Sequence, residues 1–401
     1  MFENKSVGSK RAWRGEGVYM TELLHTPLTD WHIENGAKMA EFAGYSMPIS
    51  YPTGALKEIY AVRNAAGLFD ISHMRPIFVE GPLARNFLNF IDTRDLSQMK
   101  VGDARYGIVC LESGEPIDDI IVYLLSGTEE SERFLVIANA SNGTRVYEHL
   151  RSVKRKYGIA NEQVFLTDGL GKYGFISLQG PNAEEILKNA VSDISLIPKK
   201  YYSCANVRLF DEPVLLSKTG YTGEAGFEIL CPKFAAYYHW LKLLDVGEPL
   251  GLIPAGLAAR DTLRLEAGMP LFGHEMDKRH DPVSAGLEKF VDFDKFGYFL
   301  GKTALKKVRD GRSGKPSEYF HSFIMEKGRV PRHGDNVYWE YADPPIGKLT
   351  SAGFSPTLGK NIAMGYIYRK FSSGSEVFID IGGKLYPATV TKLPFYKRVK
   401  K

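Results

Sequence analysis

Cysteine is scarce: the 401 residues carry three, Cys110, Cys204 and Cys231, far apart and without C-x-x-C spacing. That excludes a disulfide framework and a thiolate zinc site, and points to a reducing, cytoplasmic setting. Long apolar runs are missing as well. No stretch approaches the roughly 20 residues that a membrane span requires. Neither sign of charge dominates, since 51 basic residues face 47 acidic ones for a net charge of +4. A dedicated nucleic-acid binder would show a basic stripe, and none is present. The local basic runs are Lys154-Arg155-Lys156, which reads as a solvated face, and the end of the chain from Lys397 to Lys401.

Metal ligands at diagnostic spacing are lacking too. His73, His274 and His280 include no helical H-E-x-x-H pair, because Lys278 stands where His274-Glu275 would need its second histidine. No metal is therefore expected, and structural histidines are the better account. There is no G-x-S-x-G elbow. Gly169-Leu170-Gly171-Lys172-Tyr173-Gly174 matches G-x-G-x-x-G, but the strand-like Phe175–Leu178 follows it where a dinucleotide loop would open a helix. A hairpin turn is expected there. Gly301-Lys302-Thr303 lacks the glycine a phosphate loop needs, for Phe296 sits at that position.

What is present is material for several cores. Hydrophobic residues are 44% of the chain and charged residues 24%, an ordinary globular balance spread over a length that calls for two or three domains. Residues 1–25 read as a disordered extension, neither signal nor transit peptide, with Met20 as a second candidate start. Strand patterns cover Ile77–Glu80, Ile120–Leu125, Phe134–Ala138 and Phe175–Leu178. Helical spacing covers Pro82–Ile91, Pro181–Ala190 and Ala255–Ala267. After the polar linker Gly311–Pro316 come short strands with Gly and Pro turns, the mark of a small antiparallel barrel or sandwich.

Three acid-bearing segments stand out. In Gly114-Glu115-Pro116-Ile117-Asp118-Asp119-Ile120-Ile121-Val122-Tyr123, strand alternation sends the two aspartates to opposite faces. The one facing inward gains a raised pKa through desolvation and can exchange protons near neutrality. A turn acid beside a solvated partner explains the pair equally well. In Thr219-Gly220-Tyr221-Thr222-Gly223-Glu224-Ala225-Gly226-Phe227-Glu228, three glycines allow close backbone approach to a ligand or another strand. A buried Glu228 would accept two parallel N–H bonds from a flat amino-heterocycle, whereas a hairpin would leave it on the surface. In Gly256-Leu257-Ala258-Ala259-Arg260-Asp261, a buried Arg260 would need an anionic or planar partner, with an Arg260–Asp261 pair as the plain alternative.

Together and in this order, these segments resemble the aminomethyltransferase family. Further blocks carry the resemblance: Thr26-Pro27-Leu28, Gly36-Ala37-Lys38-Met39, Phe42-Ala43-Gly44, Phe69-Asp70-Ile71-Ser72-His73-Met74, Leu178-Gln179-Gly180-Pro181 and Phe354 through Asn361. It implies an α+β fold, with antiparallel sheets and packed helices in a three-domain cloverleaf around a folate channel. The expected division is 26–74 with 165–275, 75–164 with 276–310, and a β-barrel over 311–401. It implies transfer of a one-carbon unit from the aminomethyl-lipoyl arm of H protein to tetrahydrofolate, with release of ammonia and action as a monomer. Carried over residue by residue, Asp119 lies beside the reacting nitrogens, Tyr221 and Glu228 on the pterin, and Arg260 in the folate site. Tyr106, Tyr123 and Asn139 line the cavity, and Arg398 in the basic tail meets the folate carboxylates. The chain departs from the family pattern at Tyr45, at Arg75-Pro76 and at Glu115-Pro116. A folate-dependent demethylase is the alternative activity. A non-catalytic iron–sulfur maturation factor is disfavoured, because its K-G-C-Y-x-G-Q-E segment is replaced here by Lys218 through Glu224.

Overall fold

The computed structural model describes residues 22–128, 130–312, 318–340 and 344–398. Most of the proposed extension, residues 1–21, and most of the linker lie outside the described residues. Residues 22–25 belong to the fold, because Leu24 bridges to Tyr45 and exchanges backbone hydrogen bonds with Gly44 and Ser46.

Three β-systems organise the molecule. A six-stranded sheet runs Cys204–Leu209, Glu212–Ser217, Gly226–Pro232, Tyr173–Gln179, Ala66–Asp70, Leu252–Pro254, and only its last pair is parallel. A five-stranded antiparallel sheet runs Ala104–Cys110, Pro116–Gly127, Glu132–Ala138, Arg75–Gly81, Phe165–Asp168. The carboxyl-terminal strands close into a barrel, Tyr319–Met325, Lys360–Ile367, Gly347–Ser355, Asn336–Tyr338, Glu376–Asp380, Leu385–Thr391. The α+β class and the terminal barrel are as the sequence implied.

The expected hairpin at 169–174 is not one. Phe165–Asp168 pairs with Arg75–Gly81 in the five-stranded sheet, whereas Tyr173–Gln179 pairs in the six-stranded one. The turn at Gly169–Lys172 is thus a crossing between sheets, and the strand 165–168 sits with the unit that the sequence division assigned to 75–164. Ile71–Met74 makes the same passage in the other direction, from Ala66–Asp70 to Arg75–Gly81.

Each open sheet buries its outer face under helices and its inner face against the other sheet. Trp240, Leu243 and Leu187 cover the first sheet from the helices Ala236–Gly247 and Ala183–Lys188. Phe87, Leu88 and Ile91 of Ala84–Ile91, with Val146 and Leu150 of Gly143–Lys156, cover the second. Between the sheets, Phe69, Phe78, Tyr123, Ile137, Phe175 and Leu230 pack with Ala259 and Leu263 of the helix Leu257–Glu266. Burial on this scale, at about 25 cal/mol per Å² of apolar surface, fixes the relative position of the sheets.

A buried ionic hub ties the sheets to the barrel. Arg63 donates to Glu224 at 2.9 Å, to Glu266 at 2.6 Å and to the Thr222 carbonyl at 2.8 Å. Glu266 also accepts from the Ser355 hydroxyl at 2.6 Å and the Thr357 hydroxyl at 2.8 Å, both at the end of the barrel. The Tyr396 ring lies 4.1 Å from the Arg63 guanidinium carbon.

Candidate active site

The strand Pro116–Gly127 alternates as its pattern demands. Asp119 pairs across from Ile108 and shares a face with Ile121 and Tyr123, which look toward the space between the sheets. Asp118 faces the other way, onto the core under Gly143–Lys156. It is not a turn acid. Fully buried, its carboxylate accepts from the Asn139 backbone at 2.8 Å, Asn139 Nδ2 at 3.0 Å and Asn142 Nδ2 at 3.1 Å. Asn139 Nδ2 also reaches Asp119 Oδ1 at 3.1 Å, and the Tyr106 hydroxyl donates to Asp119 from the neighbouring strand.

Burial pushes the Asp119 carboxyl up to about 6, against the hydrogen bonds from its own backbone, Tyr106 and Asn139. Asp118 is pushed up by burial and then by the Asp119 charge, so the two titrate as a unit. Tyr106 is raised in turn by burial and by Asp119.

Glu228 comes from the strand Gly226–Pro232 and is 6% exposed, so the surface reading is excluded. Its Oε2 accepts from the Thr219 hydroxyl at 2.5 Å, and the Thr219 hydroxyl lies 2.9 Å from that of Ser217. Tyr123 comes from the second sheet with its buried hydroxyl unpartnered, and burial and the Glu228 charge raise its pKa. The glycine-rich segment packs on a neighbouring strand: a Cβ at Gly220 or Gly226 would stand 2.1 or 2.3 Å from the Gln179 side chain. Gln179 in turn accepts from Thr222 at 2.9 Å and donates to the Thr219 carbonyl at 3.2 Å.

Arg260 stands near the start of Leu257–Glu266, whose amino end is held by Glu58 accepting from the backbone of Gly256 at 2.9 Å and Tyr51 at 2.7 Å. Asp261 pairs with Arg264 at 2.7 Å, not with Arg260. The Arg260 guanidinium lies 5.0 Å from the Tyr221 ring centroid, and its buried Nη1 finds no hydrogen-bond partner. Burial lowers its pKa, opposed by Glu228 and Tyr221. Tyr221 donates to the Pro270 carbonyl and feels the charge of Asp119.

These groups lie within electrostatic reach of one another. Tyr202 lies within reach of the charges of both Glu228 and Asp119, and its ring packs edge-on against Tyr201 at 4.8 Å. Arg398 is exposed and lies within electrostatic reach of Tyr201. Tyr201, Tyr202 and Ser217 were absent from the sequence reading, and Thr219 stood there only as the first residue of the glycine-rich segment. Only the adjacent tyrosines and the alternation of Ser217 and Thr219 ahead of Gly220 could have signalled them. A separate cavity of about 1220 Å³ opens between residues 278–286 and the barrel, away from this cluster. Among the described residues, no three His, Cys, Asp or Glu side chains gather as metal ligands would.

Known proteins with this arrangement can be compared directly. Residues 28–295 match the GCVT N-terminal domain, and residues 320–397 the glycine cleavage T-protein C-terminal barrel domain. The aminomethyltransferase of Streptomyces coelicolor is 42% identical over 382 residues, covering 95% of this chain and 99% of that protein. That of Shouchella clausii is 39% identical, covering 95% and 100%. The crystal structure of glycine cleavage system aminomethyltransferase T from Bartonella henselae superposes with a TM-score of 0.82 at 33% identity, covering 94% of this chain and 99% of that one. The chain belongs to the aminomethyltransferase family, the folate-dependent T-protein enzymes of the glycine cleavage system.

Proposed function

We propose that the space bounded by Tyr106, Asp119, Tyr123, Asn139, Tyr221, Glu228 and Arg260 holds tetrahydrofolate, and that the one-carbon donor is the aminomethyl-lipoyl arm of H protein. The observation that carries this reading is Arg260: a half-buried arginine whose guanidinium lies over the Tyr221 ring, near the buried Glu228, with its Nη1 sealed from solvent and unpartnered. Such a group costs stability unless a ligand completes it. A pterin suits the set, because its flat ring lies against aromatic side chains and its edge carries both donors and acceptors.

Tetrahydrofolate, when bound, supplies the nucleophilic nitrogen that takes the methylene unit while ammonia leaves. The chain contributes position and charge. Glu228 and Arg260 fix one end of the ligand, Tyr106 and Asn139 hold the Asp119 carboxylate, and Arg398 at the rim meets the folate carboxylates. Once ionised, Asp119 stabilises the positive charge that develops on the attacking nitrogen. Holding both partners in one enclosed space supplies the proximity term.

The same reading divides the chain into two sheet-based units and the barrel, with strand 165–168 moved into the second unit. It treats the enzyme as monomeric and cytoplasmic. Among the described residues, no helix is long and apolar enough to cross a membrane. The test is direct. Purified chain with aminomethyl-loaded, lipoylated H protein and tetrahydrofolate should release ammonia and methylene-tetrahydrofolate in equal amounts. Turnover of a free methylated amine, with none of loaded H protein, would favour the demethylase reading instead.

A further inference from the structure

Glu228 is seated by two hydroxyls, from Ser217 and Thr219. Ser217 pairs across from Glu228 in the first sheet, and Thr219 follows two positions on. The Thr219 hydroxyl donates to Glu228 Oε2 at 2.5 Å. The Ser217 hydroxyl lies 2.9 Å from that of Thr219 and 3.2 Å from the Glu228 carbonyl oxygen, to which it can donate. All three residues are buried, Thr219 completely. Its backbone is fixed as well: Gln179 Nε2 donates to the Thr219 carbonyl at 3.2 Å, and Gly220 packs tightly on the same Gln179 side chain. The ionisable groups facing Glu228 are Arg260 from Leu257–Glu266, Tyr123 from the second sheet, and Tyr201 and Tyr202 ahead of Cys204–Leu209. Burial raises the three tyrosines far above neutrality, and a guanidinium keeps its proton in a protein. Within this set, Glu228 is the group that can change charge near neutral pH. Burial raises its pKa, opposed first by the Thr219 hydrogen bond and then by Arg260.

We propose that Thr219, backed by Ser217, is a positioning residue that keeps Glu228 an anion with Oε1 turned to the ligand. The inference rests on the folate reading above, in which this carboxylate accepts N–H groups from the pterin edge. A protonated Glu228 would set an O–H against those donors and lose the charge that strengthens the bonds. The single Thr219 hydrogen is committed to Oε2, and the Ser217 hydroxyl stands behind it, so the hydrogens of the chain run toward the carboxylate. Valine at 219 would keep the branched shape and remove the donor, leaving burial of Glu228 opposed by Arg260 alone. Ser217 would still have the Glu228 carbonyl as its acceptor, so no donor is stranded by the change. Thr219 acts through Glu228 and makes no contact with the reacting atoms.

The experiment compares Thr219→Val with Thr219→Ser in the full-length chain, titrating tetrahydrofolate calorimetrically under argon from about pH 6 to about pH 9. Affinity should fall about tenfold or more in Thr219→Val at the acid end. The deficit against wild type should then shrink as pH rises, because a growing share of Glu228 ionises without help. Thr219→Ser keeps the hydroxyl and should bind within about threefold of wild type throughout. Added to Glu228→Gln, whose amide cannot ionise, Thr219→Val should cost little more, and equally at every pH. A loss that is constant with pH and persists in full on Glu228→Gln would make Thr219 a packing residue and overturn the inference. So would wild-type affinity in Thr219→Val. Should the valine variant fail to fold, Ser217→Ala answers the same question: a smaller loss with the same pH trend supports the role, and a flat or absent one overturns it. If the unaltered chain does not bind tetrahydrofolate, the underlying folate reading falls, which the wild-type titration separates from failure of the Thr219 role alone.

Discussion

Asp118 and Asp119 point to opposite faces of one strand, yet a single amide, Asn139 Nδ2, donates to both, at 3.0 and 3.1 Å. The two substitutions should therefore have different consequences. Asp119→Asn removes the charge that faces the site and should lower turnover by roughly 10²-fold, with little change in folate affinity. Asp118→Asn puts an amide where three N–H groups donate, so at least one is left unmet. It should cost about 1–3 kcal/mol of stability. Methylene-tetrahydrofolate formation and chemical denaturation of both variants give the answer, and a larger turnover loss at Asp118 on an intact fold would reverse the assignment.

A pH profile follows from the same carboxyl. Burial raises Asp119 to about 6, above the roughly 3.9 of an unfolded aspartate. Between those values the folded chain holds a proton that the unfolded chain has lost, so this group's contribution to stability falls as pH rises through the window. Activity should move the opposite way, rising through an apparent pKa near 6 as the carboxylate forms. Asp92, also raised to about 6 by burial, contributes to the stability curve, so the informative quantity is wild type minus Asp119→Asn. An activity profile flat from pH 5 to 8 would show that ionised Asp119 is not required.

Glu228→Gln should weaken tetrahydrofolate by about 1–3 kcal/mol, because the carboxylate has one oxygen occupied by Thr219 and the other left for a ligand donor. Calorimetry on the folded variant measures it directly. Unchanged affinity would remove Glu228 from the ligand's surroundings.

Arg63→Met tests the hub. Without the guanidinium, Glu224 and Glu266 remain buried with their charges uncompensated, a loss of about 3–5 kcal/mol. Urea unfolding should show a lower midpoint at an unchanged slope. A shift below 1 kcal/mol would mean that the two acids take up protons and relax.

Local pattern made much of this legible. Period-two alternation separated Asp118 from Asp119, and the apolar spacing of Phe87, Leu88 and Ile91 gave the helix that covers the second sheet. What local pattern could not give was partnership across the chain. Asp118 reads as a turn acid until Asn139 and Asn142, more than twenty residues away, fold over it. Gly169–Lys172 reads as a hairpin, because a tight turn looks the same whether its flanking strands pair with each other or join different sheets.

The Glu266 carboxylate takes its hydroxyl donors from Ser355 and Thr357, so the buried ionic hub is completed by residues some ninety positions further along the chain. The barrel is thus held to the sheets through a buried carboxylate. A polypeptide ending at residue 312 would leave Glu266 and Arg63 without their Ser355, Thr357 and Tyr396 neighbours. Residues 1–312 and 318–401, made as separate chains in one cell, should find each other through this same contact, and folate binding should return only in the reassembled pair.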